Sequence, residues 1–244
     1  MSKSSEYIRA KLCHYLYVGC SKLLYPQKDV ICIILMHNYL DIIESRYCGS
    51  WKENWIVLIS TLLFLNGKLT ENIRTIRDSC SVVILLFNND YDCGKINDDY
   101  IKIKKLVIEK ENFILKVIGF VINIEIPIFD LERLCKDLSL GEDYMKIAVV
   151  VLNDCFLNRK SINTDYILLA SSALFISIKL LSKHNNYNDI NNKRWWLFYM
   201  KADGDPISDN DLNETVAWIV QTQKKQYISQ LENDQSKYFE LIIN

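Results

Sequence analysis

The stretch IVLISTLLFLNGKLTENIRTIRD, Ile56 to Asp78, decides how the rest of the chain is read. Its first ten residues, Ile56 to Leu65, carry almost no polarity; Ser60 and Thr61 add only hydroxyls. A helix that is apolar all round has no face for water and must be surrounded by other helices. The run then stops at Asn66-Gly67, a turn signal. Lys68, Glu71, Arg74, Arg77 and Asp78 follow at once. A segment built for burial therefore delivers a lysine and a glutamate at its very end, where the helix dipole favours a cation.

A second stretch of the same kind, YILLASSALFISIKLL, runs from Tyr166 to Leu181. The two are centred near Leu58 and Leu169, about 110 residues apart, far above the repeat lengths of solenoids. Helix-length segments surround each. Before the first lie 4–25, with Ile8, Leu12, Leu16 and Leu23 near helical spacing, and 27–47 after Pro26. After it lie 72–87, whose ending VVILLF reads equally as a strand, and 98–120, where Ile103, Val107, Ile114 and Ile118 share a face. Asn88-Asn89, Gly94, Gly141 and the Gly204-Asp205-Pro206 turn are further punctuation. VINIEIPIF alternates like a strand until Pro127 ends it, and is expected to be an extended connector. The second half repeats the plan: 128–138, 142–157, the apolar 166–181, a polar loop 183–193, a short aromatic helix or turn RWWLFY at 194–199, and a last long helix. Ser208 or Asp209 can cap that helix, with Leu212, Val216, Ile219 and Val220 on its apolar face. The expectation is an all-α protein of two tandem five-helix bundles, residues 1–122 and 123–244, each with one central buried helix.

Composition agrees and excludes other classes. With 7 glycines and 3 prolines in 244 residues, turns are too scarce for a sheet-rich domain. Net charge is −1, from 29 basic and 30 acidic side chains, so a general nucleic-acid or membrane-surface binder is not expected. The cysteines, Cys13, Cys20, Cys32, Cys48, Cys80, Cys93, Cys135 and Cys155, form no CxxC, and His14, His37 and His184 are scattered. No zinc site, and no cofactor, is expected. Thiols inside apolar stretches behave as small hydrophobes, and the N-terminus MSKSSEYIRAK has no signal-peptide core, which points to a reducing compartment. The longest apolar stretch is 16 residues with Lys179 inside, short of the ~20 that a spanning helix needs. No GxSxG, P-loop or Cys–His signature supports an enzyme.

Two five-helix repeats resemble the cyclin fold, and the motifs agree with that resemblance. Cyclins carry Lys-x-Glu-Glu at the end of the first repeat's central helix; here Lys68 and Glu71 match it, with Thr70 in place of the first glutamate. Their fifth helix carries Glu-x-x-x-Leu-Lys-x-Leu-x-Phe; ENFILKVIGF supplies Glu111, Leu115, Lys116, Ile118 and Phe120, and the chain then runs into INIEIP like a cyclin linker. Within the family the transcription and RNA-processing branch is most similar. IRTIRD resembles the Pro-Arg-Arg-Ile-Arg-Asp of cyclin L. DYIKIKKLVIEKE resembles the corresponding helix in Tyr100, Ile101, Lys104, Val107, Ile108 and Glu111. The triplet LND, 152–154, stands where that group has Met-Asn-Asp, and RWWLFY resembles the tryptophan box of cyclins K, T and L. The serine-arginine tail of many cyclin L proteins is absent. Ile8 to Leu12 resembles the Met-Arg-Ala-Ile-Leu substrate-docking patch of cell-cycle cyclins, but Lys11 puts a charge into an apolar groove and Tyr15 replaces a tryptophan.

The resemblance implies a function and a site. Lys68 and Glu111 would meet on the surface beside the activating helix of a cyclin-dependent kinase, Glu71 would join them, and Leu65, Leu69, Leu115, Phe120 and Ile122 would fill kinase pockets. It implies a nuclear heterodimer with a kinase acting in transcription or RNA processing, with no membrane and no direct nucleic-acid partner. The rival is a cyclin-fold scaffold like transcription factor IIB, which binds DNA through basic faces without activating a kinase. Trp195 and Trp196 either stack on a partner or base, or anchor the last helix; the lack of a basic excess favours the second. Arg74 and Arg77 read equally as a solvated face or as the kinase edge.

Overall fold

Each of the two apolar runs becomes the central helix of its own bundle. The structure, a computed structural model, describes residues 3–25, 29–47, 53–87, 98–122, 124, 126–182 and 193–224. Pro26, Asn88-Asn89, Gly94, residues 183–192 of the expected polar loop, and 225–244 of the expected second bundle lie outside the described residues. The described chain forms two compact units that part between Ile124 and Glu125. Nine α-helices and two 3-10 turns are present among the described residues, and no strand beyond an isolated Met200–Pro206 bridge.

The first unit holds α1 (Lys3–Lys22), α2 (Asp29–Tyr47), α3 (Trp55–Leu69), α4 (Ile76–Phe87) and α5 (Asp98–Val117). Asn54 starts α3, its side chain accepting from the Val57 N–H at 3.2 Å. All four other helices pack on α3. Leu58, Ile59, Leu62 and Leu63 have no exposed surface, each stabilising the unit by about 2 kcal/mol through burial. The hydroxyl of Thr61 is absorbed by its own helix, donating to Val57 O at 2.7 Å. At Gly19 a Cβ would stand 2.6 Å from Leu63 Cδ1, so a side chain there would force the buried Leu63 to shift. VVILLF is helical, not extended. Thr75 and Asp78 form a reciprocal cap, Thr75 N–H to Asp78 Oδ2 and Asp78 N–H to Thr75 Oγ1, both at 3.1 Å. That cap sets the helical course of α4 before the apolar run begins. Of the expected core face of the 98–120 segment, Val107, Ile114 and Ile118 are buried and Ile103 is partly buried against the core.

Residues 118–127 form no strand in the part that is described, as expected of a connector. The second unit holds α6 (Ile128–Asp137), α7 (Glu142–Cys155), α8 (Tyr166–Ser182) and α9 (Asp209–Lys224), with 3-10 turns at Arg159–Asn163 and Trp195–Phe198. Asp165 caps α8 through the N–H groups of Ile167 and Leu168. Helices α6, α7 and α9 pack around α8, whose Leu169, Ala170, Ser171, Ser172, Ala173 and Leu174 are all fully buried. RWWLFY is a single 3-10 turn. Trp195 and Trp196 are buried there, Trp196 edge-on to Phe175, and the Trp196 indole donates to Asp209 Oδ1 at 2.9 Å. The tryptophans thus anchor the start of α9. The helix cap itself is Ser208, whose Oγ accepts from Asp211 N–H at 3.1 Å while Asp211 Oδ2 accepts from Ser208 N–H at 3.2 Å. No helix among the described residues is long and apolar enough to cross a membrane.

Candidate partner-binding site

The C-terminal end of α3 is held from three sides. Thr70 closes the helix: its backbone N–H and its hydroxyl both donate to Asn66 O, at 3.0 and 2.8 Å. Glu71 then adopts a left-handed backbone, φ +58°, an uncommon conformation for a residue with a Cβ, and turns the chain out of the helix. Behind the turn, Tyr25 donates to Leu63 O at 3.1 Å, and Arg74 Nε donates to Leu23 O at 3.0 Å. Arg74 therefore ties the α3–α4 loop to the end of α1, a structural role that neither of its two sequence readings named. Thr70, where cyclins have a glutamate, is buried and serves as this cap.

On that fixed end stands Lys68. Its Nζ donates to Glu111 Oε1 of α5 at 2.5 Å and lies 4.3 Å from the centre of the Phe64 ring. The side chains are 44% and 14% exposed, so the glutamate is held and the lysine faces outward. A lysine has three N–H groups and a carboxylate several lone pairs; the pair can still donate to and accept from a partner's backbone. Of the other expected site residues, Leu69 and Leu115 are half-buried, Glu71 is exposed, and Phe120 and Ile122, beyond the end of α5, are 62% and 43% exposed. Helix α5 ends through Gly119 and Phe120, both left-handed (φ +66° and +57°), with Phe120 N–H donating to Leu115 O at 2.8 Å. A phenylalanine in that conformation costs about 1–2 kcal/mol, and here it directs an aromatic ring into solvent.

One expected site residue does not belong to this surface. Leu65 is 3% exposed; it lies on a flank of α3 that packs into its own bundle and has no area to offer a partner. The motif match located the helix correctly but could not tell which of its flanks the neighbours cover.

Two polar clusters of the first unit escaped the sequence reading. Arg9, buried, lies 2.8 Å from Asp41 Oδ1 and 3.0 Å from Glu44 Oε2, and its Nη1 is 3.3 Å from His37 Nδ1. The segment Ile8 to Leu12 is therefore largely interior: Ala10, Lys11 and Leu12 are buried as well, and only Ile8 is exposed. In the second cluster Lys110 Nζ donates to Glu53 Oε1 at 2.6 Å and to Tyr39 Oη at 2.7 Å, and Tyr39 Oη donates to Glu53 Oε2 at 2.7 Å. Burial pulls the Lys110 ammonium below the ordinary lysine range, with the Glu53 carboxylate opposing. Charged residues 57 positions apart leave no periodic trace, so nothing in the sequence pattern announces the second cluster. The one available signal for the first was Arg9 inside an otherwise apolar helix face.

No family model and no curated protein matches the chain. Among solved structures it is similar to a chain in the crystal structure of the yeast RNA Pol II CTD kinase CTDK-1 complex. The TM-score is 0.61 with 18% sequence identity, over 87% of this chain and 75% of that one. At that identity the likeness shows the fold alone. The shared fold is all-helical, in agreement with the tandem cyclin boxes that the sequence resembles.

Proposed function

We propose that this chain is the regulatory, non-catalytic subunit of a kinase heterodimer. It binds and activates a cyclin-dependent kinase acting in transcription or RNA processing, in the nucleus, as a cyclin similar to cyclins L, K and T. Residues 1–122 and 123–244 are its two cyclin boxes. The observation that carries this reading is the Lys68–Glu111 contact, a pair joined from two helices; Phe120 and Ile122 are exposed where the chain leaves α5. The likeness to a chain of an RNA Pol II CTD kinase complex supports the same direction at the level of fold.

The mechanism follows from where such a surface binds. A protein kinase positions its nucleotide phosphates only when its own Lys–Glu ion pair is formed. A subunit that binds the arrangement with that pair in place, and not the other, shifts the equilibrium between them by its differential affinity. Moving the kinase from mostly off to mostly on takes about 5.5 kcal/mol of preference, which an interface of standard size can supply. Lys68 donates to backbone carbonyls and Glu111 accepts from backbone N–H groups at the activating helix, charge-assisted bonds that strengthen as the interface excludes water. Phe120, Ile122, Leu69 and Leu115 supply the apolar contacts around them.

The test is purification of the chain from native extract with identification of the kinase that accompanies it, followed by reconstitution from the two purified proteins. A kinase whose activity rises on adding this chain supports the reading. A chain that recovers no kinase, and instead shifts DNA in a salt-dependent way, overturns it in favour of the scaffold.

A further inference from the structure

Helix α5 carries an exposed feature that the Lys68–Glu111 pair does not explain. Ile101 and Ile108 are 45% and 42% exposed, and Leu115 is half-buried. Spaced by seven, they form one line along the helix, off the core face made by Val107 and Ile114, and about 21 Å long at the helical rise. By helical position Lys104 and Lys105, both exposed, flank this line on its two sides. An apolar stripe with cationic flanks fits an amphipathic helix with anionic ones.

The chain itself contains such a sequence. Residues 225–244 read KQYISQLENDQSKYFELIIN. On helical spacing Ile228, Leu231, Tyr238 and Ile242 share one face, Glu232 and Asp234 border it on opposite sides, and Lys237 falls on the far side. Twenty residues at the helical rise reach about 30 Å, enough to cover the stripe. We propose that residues 225–244 dock in cis on the Ile101–Ile108–Leu115 stripe of α5, with Glu232 and Asp234 set against Lys104 and Lys105. Docking also covers Leu115, one helical turn from Glu111, so the segment and a kinase compete for the same helix. That consequence rests on the proposed function; the docking itself does not.

Zero-length carbodiimide cross-linking of the full chain, with peptides mapped from the monomer fraction, tests the docking without any kinase. Links joining Lys104 or Lys105 to Glu232 or Asp234 are expected, and their loss in the Leu231→Ser, Tyr238→Ser double variant, whose melting curve is checked against the parent. The docking is overturned if the α5 lysines react with an amine-directed ester yet give no such links, or if the links survive the double substitution. Links confined to the dimer fraction overturn it too, by assigning the stripe to a second copy. Adding the co-purified kinase to the cross-linking reaction tests the competition separately: loss of the links supports it, and unchanged links overturn the competition while leaving the docking intact.

Discussion

Lys68 Nζ touches Glu111 Oε1 at 2.5 Å, joining the end of α3 to the middle of α5 across 43 positions of sequence. The lysine is nearly half exposed, and an exposed ion pair contributes only about 0.2–1 kcal/mol to folding. Its effect on partner binding should be far larger. Lys68→Ala and Glu111→Ala are each expected to lower the melting temperature by no more than about 4 °C and to abolish most kinase activation, since removing one member of a desolvated charged pair costs about 2–5 kcal/mol in an interface. The exchange Lys68→Glu with Glu111→Lys separates the two roles. It restores an ion pair inside the chain but presents the wrong charges to a partner, so stability should return and activation should not. Full activation by either single variant in the reconstituted assay would refute the role given to the pair.

Leu65 and Phe120 make a second contrast, because the sequence resemblance treats them alike and the structure does not. Leu65 is 3% exposed and Phe120 62%. Leu65→Ala should therefore cost about 2–5 kcal/mol of folding stability, the usual range for an emptied core site. Phe120→Ala should leave urea unfolding within about 0.5 kcal/mol while weakening kinase binding by ~2 kcal/mol or more, as expected of an aromatic anchor. Phe120→Gly at the same position should even relieve its left-handed backbone. A Phe120→Ala variant that unfolds early but binds normally would show that the ring packs at home.

These contrasts mark what the sequence could and could not reveal. The central helices α3 and α8 were legible because burial on every side leaves a run with no polar face. The Lys68–Glu111 contact was legible only through ordered motifs, since Lys and Glu at such a separation carry no periodic signal. The ambiguous VVILLF was settled by Thr75 and Asp78, a cap lying just ahead of it that the hydrophobic pattern ignores. Leu65 failed because a helix that is apolar all round gives no clue to which flank a partner could reach. The Lys110–Glu53–Tyr39 network was invisible, as each member looks like an ordinary surface or core residue until three segments meet.

The buried thiols set the alkaline limit of the fold. Burial pushes Cys13 up to about 12, against the milder pull of Arg9, and Cys80 up to about 11, against the milder lowering influence of nearby Ser60. Cys155 is raised as well, chiefly by burial. In the unfolded chain thiols ionise near 8.5. Between that value and the folded ones the unfolded state has released protons that the native state keeps, so stability falls as pH rises, by up to about 1.4 kcal/mol per pH unit for each thiol. The contribution is complete below about pH 8.5. Lys110 acts in the opposite sense, because its folded value is lowered, and offsets part of the loss. Urea unfolding under reducing conditions should thus show stability several kcal/mol lower at pH 10 than at pH 7.5. Cys13→Ala should lower stability at pH 7.5 but flatten the decline. Equal slopes in the parent and the variant would contradict the buried-thiol origin.

Gly67 is where helix propensity and packing make opposite forecasts, and the structure says which wins. Replacing a helical glycine with alanine ordinarily stabilises by about 1 kcal/mol. Here the new Cβ would stand 2.5 Å from Tyr25 Oη and 3.0 Å from Asn72 O. The tyrosine hydroxyl cannot retreat without losing its bond to Leu63 O, and Asn72 O belongs to the backbone of the turn beyond Thr70. Overpacking of this kind costs about 1–3 kcal/mol, so Gly67→Ala should destabilise despite its better propensity. Tyr25→Phe removes the atom that clashes, at the cost of one hydrogen bond worth about 1 kcal/mol. In the Gly67→Ala background the same change should therefore be nearly neutral, giving a coupling of about 1 kcal/mol in a double-mutant cycle. Because Lys68 is the next residue, Gly67→Ala alone should also weaken kinase activation, and the double variant should recover part of it. A more stable Gly67→Ala protein, or two changes that simply add, would show that Tyr25 does not brace the end of α3.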